Sequence, residues 1–213
     1  MILQNFVVFE GGDGSGTSTQ IELLRRRFDS CRDRALPALF TTCEPTGGPI
    51  GAMIRRFLRG DLPLRPETAA RLFAADRNEH LYGSGAVADR CGRGELAVSD
   101  RYVPSSLVYQ GLDCGEELPA LLNRDFPLPQ LLLFFDLDPE TALDRLEGRP
   151  YRDLYERLDF QVRVRERYRA LLPAYASPGT RLEYLDASRP AEAVAEDVWR
   201  LLQELPIFGS RNT

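Results

Sequence analysis

The sequence predicts an α/β fold in which helices cover both faces of a parallel β-sheet. Short apolar runs recur along the chain, and stretches with apolar residues at helical spacing separate them. The runs are continuously apolar, which is typical of parallel strands buried on both sides. No repeat, low-complexity tract or linker divides the 213 residues, so we expect a single domain over 1–213.

The predicted elements alternate from the start of the chain. A first strand at 5–9 runs into glycines, and a helix is predicted at 19–31. Further strands are predicted at 39–42, 96–100, 131–137 and 182–185, and further helices at 66–82, 141–149, 155–175 and 191–205. Ligands in such folds bind beyond the carboxyl ends of the strands. We therefore expect functional residues at 10–18, 44–48, 100–102 and after 136.

Composition excludes several classes of protein. The chain is 43% hydrophobic and 28% charged, as expected for a soluble globular protein. It holds no apolar run near the ~20 residues of a membrane span, and its first residues lack the basic start of a signal peptide. A formal net charge of −5 argues against a general binder of nucleic acid or anionic membranes. Cys31, Cys43, Cys91 and Cys114 have no CxxC or zinc spacing, so we predict reduced thiols in a cytoplasmic protein.

The most informative local motif is GGDGSGTS at 11–18, between the first strand and its helix. It matches the phosphate-binding pattern GxxxxGK[ST] at Gly11, Gly16 and Ser18, whereas Thr17 stands in the place of the lysine. Glycines let backbone N–H groups converge on phosphate oxygens, and the Ser18 hydroxyl would bind Mg²⁺. The alternative is a glycine-rich turn in which Ser18 caps the helix.

The missing lysine is part of a wider bias, because all 27 basic residues of the chain are arginine. Bias alone would place arginine at position 17, since arginine keeps the charge. Threonine there implies that the charge is supplied elsewhere or not at all.

Five segments, spread over nearly the whole chain, carry a family resemblance. They are FEGGDGSGTSTQ (9–20), TTCEPTGGPIG (41–51), LFAADRNEH (72–80), SDRYVPSSLVYQG (99–111) and YERLDFQVRVRERY (155–168). Together they resemble the bacterial type of the thymidylate kinase family, which transfers the γ-phosphoryl group of ATP to dTMP. The resemblance implies a P-loop NTPase-type three-layer α/β/α fold with a five-stranded parallel sheet and a mobile lid. It also implies Mg²⁺ as cofactor, ATP and dTMP as partners, and a homodimer, with no nucleic acid or membrane.

The resemblance assigns roles to individual residues. It implies that Phe73 and Arg77 hold thymine, that Arg101 holds the dTMP phosphate, and that Asp13 lies near the sugar hydroxyl and the phosphates. Ser106 and Tyr109 would face the nucleoside and Gln110 the base, and Tyr109 would also exclude a 2′-hydroxyl. The implied ATP-binding residues are Gly11, Gly12, Asp13, Gly14, Ser15, Gly16, Thr17, Ser18 and Thr19. The implied metal ligands are Ser18 and Asp100, and the implied catalytic residues are Asp13, Arg101, Arg149 and Arg152.

The residues by themselves leave other interpretations open. Phe73 also fits the apolar stripe of its helix, and Arg77 also fits an ion pair with a carboxylate at 67, 76 or 79. Asp100 and Arg101 also fit a salt bridge at the end of a strand. His80, the single histidine, has no obvious partner in the sequence, and we predict a structural role for it.

A mobile lid is predicted at about 145–156. Arg145, Arg149 and Arg152 are spaced four and three residues apart, and Gly148 and Pro150 interrupt the helix. Flexible arginine-bearing segments beside a phosphate site act as lids that close over the transferring group. The alternative is a solvated surface on which these arginines pair with the carboxylates at 144, 147 and 153.

Two positions depart from the family pattern. Thr17 replaces the lysine of the phosphate loop, and Cys43 replaces the arginine that usually precedes the Glu-Pro dipeptide. One well-placed arginine is worth roughly 10³- to 10⁵-fold in phosphoryl transfer, so compensation by Arg149, Arg152 or Arg157 would keep a working kinase. Two alternatives stay open: a kinase for another nucleoside monophosphate or for a deoxynucleoside, and a catalytically silent nucleotide-binding protein.

Overall fold

The computed structural model describes residues 1–31, 36–147, 153–176 and 179–209. The strands are β1 (Ile2–Gly11), β2 (Leu39–Cys43), β3 (Leu96–Asp100), β4 (Leu128–Asp136) and β5 (Arg181–Asp186). The helices are α1 (Thr17–Ser30), α2 (Pro49–Leu58), α3 (Pro66–Tyr82), α4 (Val87–Gly92), α5 (Val103–Cys114), α6 (Glu117–Asn123), α7 (Pro139–Asp144), α8 (Leu158–Leu171), α9 (Ala191–Gln203) and α10 (Pro206–Gly209). A 3₁₀ helix, Leu172–Ala176, follows α8 directly.

The strands form a five-stranded parallel sheet in the order β2-β3-β1-β4-β5, which confirms the predicted α/β class. β1 lies at the centre between β3 and β4. The register places Phe9 beside Asp100 and Asp100 beside Cys43, so the carboxyl ends of β1, β2 and β3 meet at one edge. The glycine-rich loop leaves β1 where the strand order changes direction, which is the usual ligand crevice of open α/β sheets.

The sheet separates two apolar layers. Successive residues of a strand point to opposite faces. In β1, Val7 and Phe9 therefore pack with α1 and α9, whereas Phe6 and Val8 pack with α4, α5 and α8. All four side chains are fully buried. The predicted three-layer α/β/α arrangement is confirmed.

Several element boundaries differ from the prediction. Helix α7 covers Pro139–Asp144 rather than 141–149, and it begins earlier because the Asp138 carboxylate accepts a hydrogen bond from the Glu140 N–H at 3.1 Å. The helix predicted at 155–175 is α8 followed by the 3₁₀ turn, since Pro173 has no N–H to continue the α-helix. Helices α2, α4, α5, α6 and α10 were not predicted, and α4, α6 and α10 are too short to show an apolar period.

The four cysteines are free thiols, as predicted; Cys31 and Cys43 are exposed and Cys91 is buried. None of the helices in the described ranges combines the length and the hydrophobicity that a membrane span requires.

Candidate active site

The loop between β1 and α1 has the geometry of an anion site. Gly14 and Gly16 have φ angles of 81° and 94°, and a Cβ on Gly14 would lie 2.2 Å from the carbonyl oxygen of Ala142. Helix α1 begins directly afterwards at Thr17, and no side chain of the described residues caps it. Its first N–H groups therefore remain available to a phosphate. The alternative in which Ser18 caps the helix is wrong, because Gly16 occupies the capping position.

The Ser18 hydroxyl instead donates a hydrogen bond to Oδ2 of Asp100 at 2.6 Å. The other carboxylate oxygen, Oδ1, is buried and has no hydrogen-bond partner among the described residues. A hydroxyl beside an unpartnered carboxylate oxygen fits a hard divalent cation, which prefers oxygen ligands. The described residues include no cluster of three or more His, Cys, Asp or Glu that could hold a metal ion by itself. A Mg²⁺ ion here would therefore depend on water and on ligand phosphates, as is common for this ion.

Asp13 ties the loop to two other elements. Its Oδ1 accepts a hydrogen bond from Arg101 Nη2 at 2.5 Å, and its Oδ2 accepts one from Gln161 Nε2 at 2.7 Å. The Asp13 N–H in turn donates to Gln161 Oε1 at 3.1 Å. Arg101 follows β3 and Gln161 lies on α8, so the loop is fixed from both sides. Arg101 does form a salt bridge at the end of β3, but its partner is Asp13 and not its neighbour Asp100, which accepts from Ser18.

Arg77 lies in a buried charged network beside the aromatic cavity that is described in the next paragraph. The Arg77 side chain is 1% exposed, and its Nη2 lies 2.6 Å from Oε2 of Glu44. His80 Nδ1 lies 2.8 Å from the other oxygen of the same carboxylate, so His80 does have a partner. Asn123 accepts a further hydrogen bond from Arg77. The ion pairs considered for Arg77 with positions 67, 76 and 79 are wrong, because Glu44 takes that role.

Two cavities open beside these residues. The loop cavity, about 720 Å³, is lined by residues 12–20 and by Asp100, Arg145 and Arg189, among others. The aromatic cavity, about 150 Å³, is lined by all seven residues that the resemblance assigns to dTMP: Asp13, Phe73, Arg77, Arg101, Ser106, Tyr109 and Gln110. Asp13, Arg101 and Asp153 line both cavities. The two spaces therefore meet at two carboxylates and a guanidinium.

Two side chains that line the aromatic cavity carry buried polar atoms without a partner among the described residues. The Tyr109 hydroxyl and Gln110 Oε1 are buried and make no hydrogen bond within the described part of the chain. Burial raises the pKa of Tyr109 above its usual value, so the hydroxyl stays protonated. Buried polar groups are normally hydrogen-bonded. These two atoms are therefore suited to a polar ligand that enters this cavity.

The cations of the loop cavity come from outside the phosphate loop. Arg145 donates to the carbonyl oxygen of Ala187 at 3.0 Å and lines the cavity. Thr17 lines the same cavity and contributes no charge. Arg157 pairs with Asp159 on the surface, with its side chain 71% exposed, and it is not among the described residues that line the cavity. The predicted catalytic residues Arg149 and Arg152, and much of the predicted lid, lie outside the described residues.

Comparison with known proteins shows which family the chain belongs to. The model of the thymidylate kinase family matches residues 9–198. The chain belongs to the thymidylate kinase family. A protein of Treponema pallidum (strain Nichols) is 39% identical over 206 residues, which cover 95% of this chain and 97% of the relative. A thymidylate kinase of Leifsonia xyli subsp. xyli is 40% identical over 207 residues, 91% of each chain. A thymidylate kinase of Symbiobacterium thermophilum is 39% identical over 209 residues, 94% of this chain and 93% of the relative.

The segment in which Cys43 departs from the family pattern is held by Arg55 of α2. Arg55 donates hydrogen bonds to the carbonyl oxygens of Pro45 and Thr46, and its Nη2 lies 4.0 Å from the Cys43 sulfur. A guanidinium therefore lies beside position 43 although the chain has no arginine there.

Sequence reasoning missed three groups that hold the predicted residues in place. Glu44 binds Arg77, Gln161 binds Asp13, and Ser105 accepts from Arg101 Nη1 at 3.2 Å. Each lies in or beside a segment that carries the resemblance, but each partner is far away in the chain or on another element. Only the position of Glu44 at the end of β2, on the ligand edge of the sheet, gave a signal in advance.

Proposed function

We propose that the protein is a thymidylate kinase that transfers the γ-phosphoryl group of ATP to the 5′-phosphate of dTMP, giving dTDP and ADP. The observation that carries this proposal is the meeting of two cavities at Asp13 and Arg101. One cavity is lined by the phosphate loop, and the other by aromatic and polar side chains suited to a nucleoside. A donor and an acceptor bound on either side would bring their phosphates together at the junction.

The donor side uses backbone rather than a loop cation. We assign the ATP phosphates to the N–H groups of residues 11–19 and to the uncapped start of α1. The Ser18 hydroxyl and the free Asp100 oxygen would hold Mg²⁺, which when bound neutralises charge on the donor phosphates. Charge that Thr17 does not supply comes in this proposal from Arg149 and Arg152 of a lid at about 145–156.

The acceptor side uses Arg101 and the aromatic cavity. Arg101 would hold the dTMP phosphate, and Phe73 would stack on thymine. Arg77 keeps one Nη1 N–H without an acceptor among the described residues, and this N–H is free to donate to a base carbonyl. The attacking phosphate oxygen is anionic at neutral pH, so the reaction needs positioning and cations rather than a strong base.

We also propose that the protein is a cytoplasmic homodimer. Large apolar side chains are exposed on helices α2, α3 and α6, of which α3 packs against each of the other two. Met53 is 44%, Tyr82 52% and Leu121 57% exposed. A second copy of the chain would remove such surface from water. Light scattering after gel filtration should give twice the mass of 24.0 kDa. A mass of one chain at micromolar concentration would reject the dimer.

The first experiment is a steady-state assay of ADP release with Mg-ATP and purified protein. We expect turnover with dTMP, and a kcat/KM at least tenfold lower with dUMP, dCMP or dGMP. Turnover with another nucleotide in place of dTMP would favour a different monophosphate kinase. Binding of dTMP without turnover would favour a silent nucleotide-binding protein.

The source of the missing charge is tested by replacing single arginines with alanine. The variants R149A and R152A should each lower kcat by about 10³-fold or more. R157A is the matched control, because this arginine is exposed and paired with Asp159; its kcat should stay within about twofold. Equal effects of all three variants would contradict the lid assignment.

A further inference from the structure

A buried carboxylate lies behind the phosphate loop and has no role in the proposed reaction. Glu10, the last residue but one of β1, is 0% exposed. An isolated buried carboxylate is strongly unfavourable unless hydrogen bonds compensate for lost water. Its Oε1 accepts from the N–H groups of Tyr102 (2.8 Å) and Ser105 (3.3 Å). Its Oε2 accepts from the hydroxyls of Ser105 (2.6 Å) and Tyr168 (2.8 Å).

These hydrogen bonds converge on the turn that carries Arg101. Arg101 has a φ of 74°, a left-handed conformation that is unfavourable for a non-glycine residue. The turn is held by the Arg101 N–H, which donates to the carbonyl oxygen of Phe9 at 2.9 Å, and by the Ser99 hydroxyl, which donates to the Arg101 carbonyl oxygen at 2.8 Å. The hydrogen bond from the Tyr102 N–H to Glu10 closes the turn on its other side.

Glu10, which lies in β1, also caps helix α5, which follows β3 in the chain. The residue at the capping position, Tyr102, makes no capping hydrogen bond with its own side chain, and the second residue of the helix, Pro104, has no N–H. The N–H groups of Tyr102, Val103 and Ser105 therefore have no acceptor inside the helix, and those of Tyr102 and Ser105 point toward Glu10. Glu10 Oε1 accepts from both.

A polar relay joins Glu10 to the guanidinium. The Ser105 hydroxyl has one proton, and it donates that proton to Glu10. Its oxygen is then oriented to accept from Arg101 Nη1 at 3.2 Å. A carboxylate at position 10 thus fixes the direction of the hydroxyl, and the hydroxyl fixes one arm of Arg101.

We propose that Glu10 is a positioning residue for phosphoryl transfer, which holds the Arg101 guanidinium at the junction of the two cavities through Ser105 and the start of α5. This inference rests on the proposed function for the identity of the phosphate that Arg101 holds. The position matters more in this chain than in one with a loop lysine. Thr17 adds no charge, and Arg101 is the arginine that lines both cavities within the described ranges.

The charge state of Glu10 changes near neutral pH. Burial raises the pKa of Glu10 to about 7, against the lowering effect of its hydrogen bonds and of Arg101. The titratable groups that face it are Arg101, Tyr102, Tyr168 and Tyr175. Burial raises the pKa of the three tyrosines above the usual value, and arginine stays protonated. Among these groups, only Glu10 titrates at neutral pH.

The decisive variant is E10Q. The glutamine amide oxygen can still accept from the two backbone N–H groups, so the cap on α5 is kept. Its NH₂ group donates to Ser105 and Tyr168, which reverses the relay and turns the Ser105 proton away from position 10, toward the Tyr168 hydroxyl at 2.8 Å. The S105A variant removes the relay and leaves the carboxylate and its backbone hydrogen bonds in place. Y102F is the matched control, because it deletes a buried hydroxyl of the same turn that donates to the carbonyl oxygen of Pro127 instead.

The experiment compares binding of dTMP with binding of thymidine by calorimetry, and then measures kcat from pH 5.5 to 8.5. We expect E10Q and S105A to lower the affinity for dTMP at least tenfold and the affinity for thymidine less than twofold. The reason is that thymidine has no phosphate for Arg101 to hold. We expect the kcat of the natural protein to fall below pH 7 more steeply than that of E10Q. Y102F should keep the natural ratio of the two affinities, whatever its thermal stability.

Two results would overturn the role proposed for Glu10. A dTMP to thymidine affinity ratio in both E10Q and S105A that equals the natural ratio would overturn it. So would identical pH profiles for E10Q and the natural protein. Absence of dTMP turnover in the natural protein would reject the proposed function instead, and the affinity ratios would still test Glu10.

Discussion

Arg77 offers the sharpest test of how the aromatic cavity is held together. Its guanidinium is 1% exposed and binds the Glu44 carboxylate through two N–H groups, at 2.9 and 2.6 Å. Methionine at position 77 would keep part of the volume and remove every donor. Glu44 would then keep His80 as its described side-chain partner, and Asn123 and the carbonyl oxygen of Tyr102 would lose a donor as well.

The expected cost of R77M follows from this geometry. Removing one partner of a buried ion pair costs about 3–5 kcal/mol, because the other charge stays buried without compensation. For a domain of this size, each kcal/mol shifts the Tm by roughly 2–4 °C. We therefore expect the Tm of R77M to fall by about 6–20 °C in a calorimetric or fluorescence scan. The double variant with E44Q should recover part of that loss, since it removes the uncompensated charge.

The contrasting variant is F73A. Phe73 lines the same cavity but is only half-buried and belongs to no charged network. Stacking of a base on an aromatic ring is worth about 1–3 kcal/mol. F73A should therefore lower the affinity for dTMP roughly 5- to 150-fold, with a much smaller change in Tm than R77M. A Tm of R77M within 3 °C of the natural protein would refute the reasoning about the buried pair. Unchanged dTMP affinity in F73A would refute the assignment of the cavity to thymine.

Three further predictions concern the loop and its surroundings. The variant S18A should raise the Mg²⁺ concentration needed for half-maximal ADP release at least tenfold, because the hydroxyl beside Asp100 is lost; an unchanged Mg²⁺ dependence would remove Ser18 from the metal site. The variant G14A should lose most affinity for ATP in a titration, since Gly14 has a φ of 81° and a Cβ would lie 2.2 Å from the Ala142 carbonyl oxygen; near-natural affinity would contradict the fixed loop shape. Burial raises the pKa of Glu10 from 4.5 to about 7, so the folded state holds this proton more tightly than the unfolded state does. Its contribution to stability is full below pH 4.5 and is lost as pH rises through 7, a difference of about 3 kcal/mol. Denaturant titrations of the natural protein and E10Q over this range should diverge by that amount, and parallel curves would contradict the raised pKa.

Part of the site could be predicted from sequence because it is encoded locally. Glycines at fixed offsets after an apolar strand require a tight loop before a helix, whatever surrounds them. The aspartate-arginine pair at the end of β3 falls on the ligand edge for a similar reason, since that edge follows from the strand order of parallel sheets. The resemblance then supplied the members of the aromatic cavity, and the structure places all seven on its wall.

Other features depend on contacts between distant parts of the chain. The carboxylate partner of Arg77 lies 33 positions away at Glu44, not one helical turn away as the spacing suggested. Gln161 reaches Asp13 across 148 positions, and Glu10 reaches the start of α5 across 92. A pattern of spacings describes neighbours along one element, and it carries no information about which side chains meet across a sheet edge.

The sequence by itself determined the fold class and the phosphate loop with its missing lysine, because these follow from local periodicity, glycine geometry and motif spacing. The resemblance to a family supplied the residues that line the aromatic cavity. Tertiary structure decided which groups hold those residues. Parallel strands bring their carboxyl ends to a single edge, where buried charges must find hydrogen-bond partners from whatever elements the packing places there. The networks around Arg77, Asp13 and Arg101 are the result of that requirement.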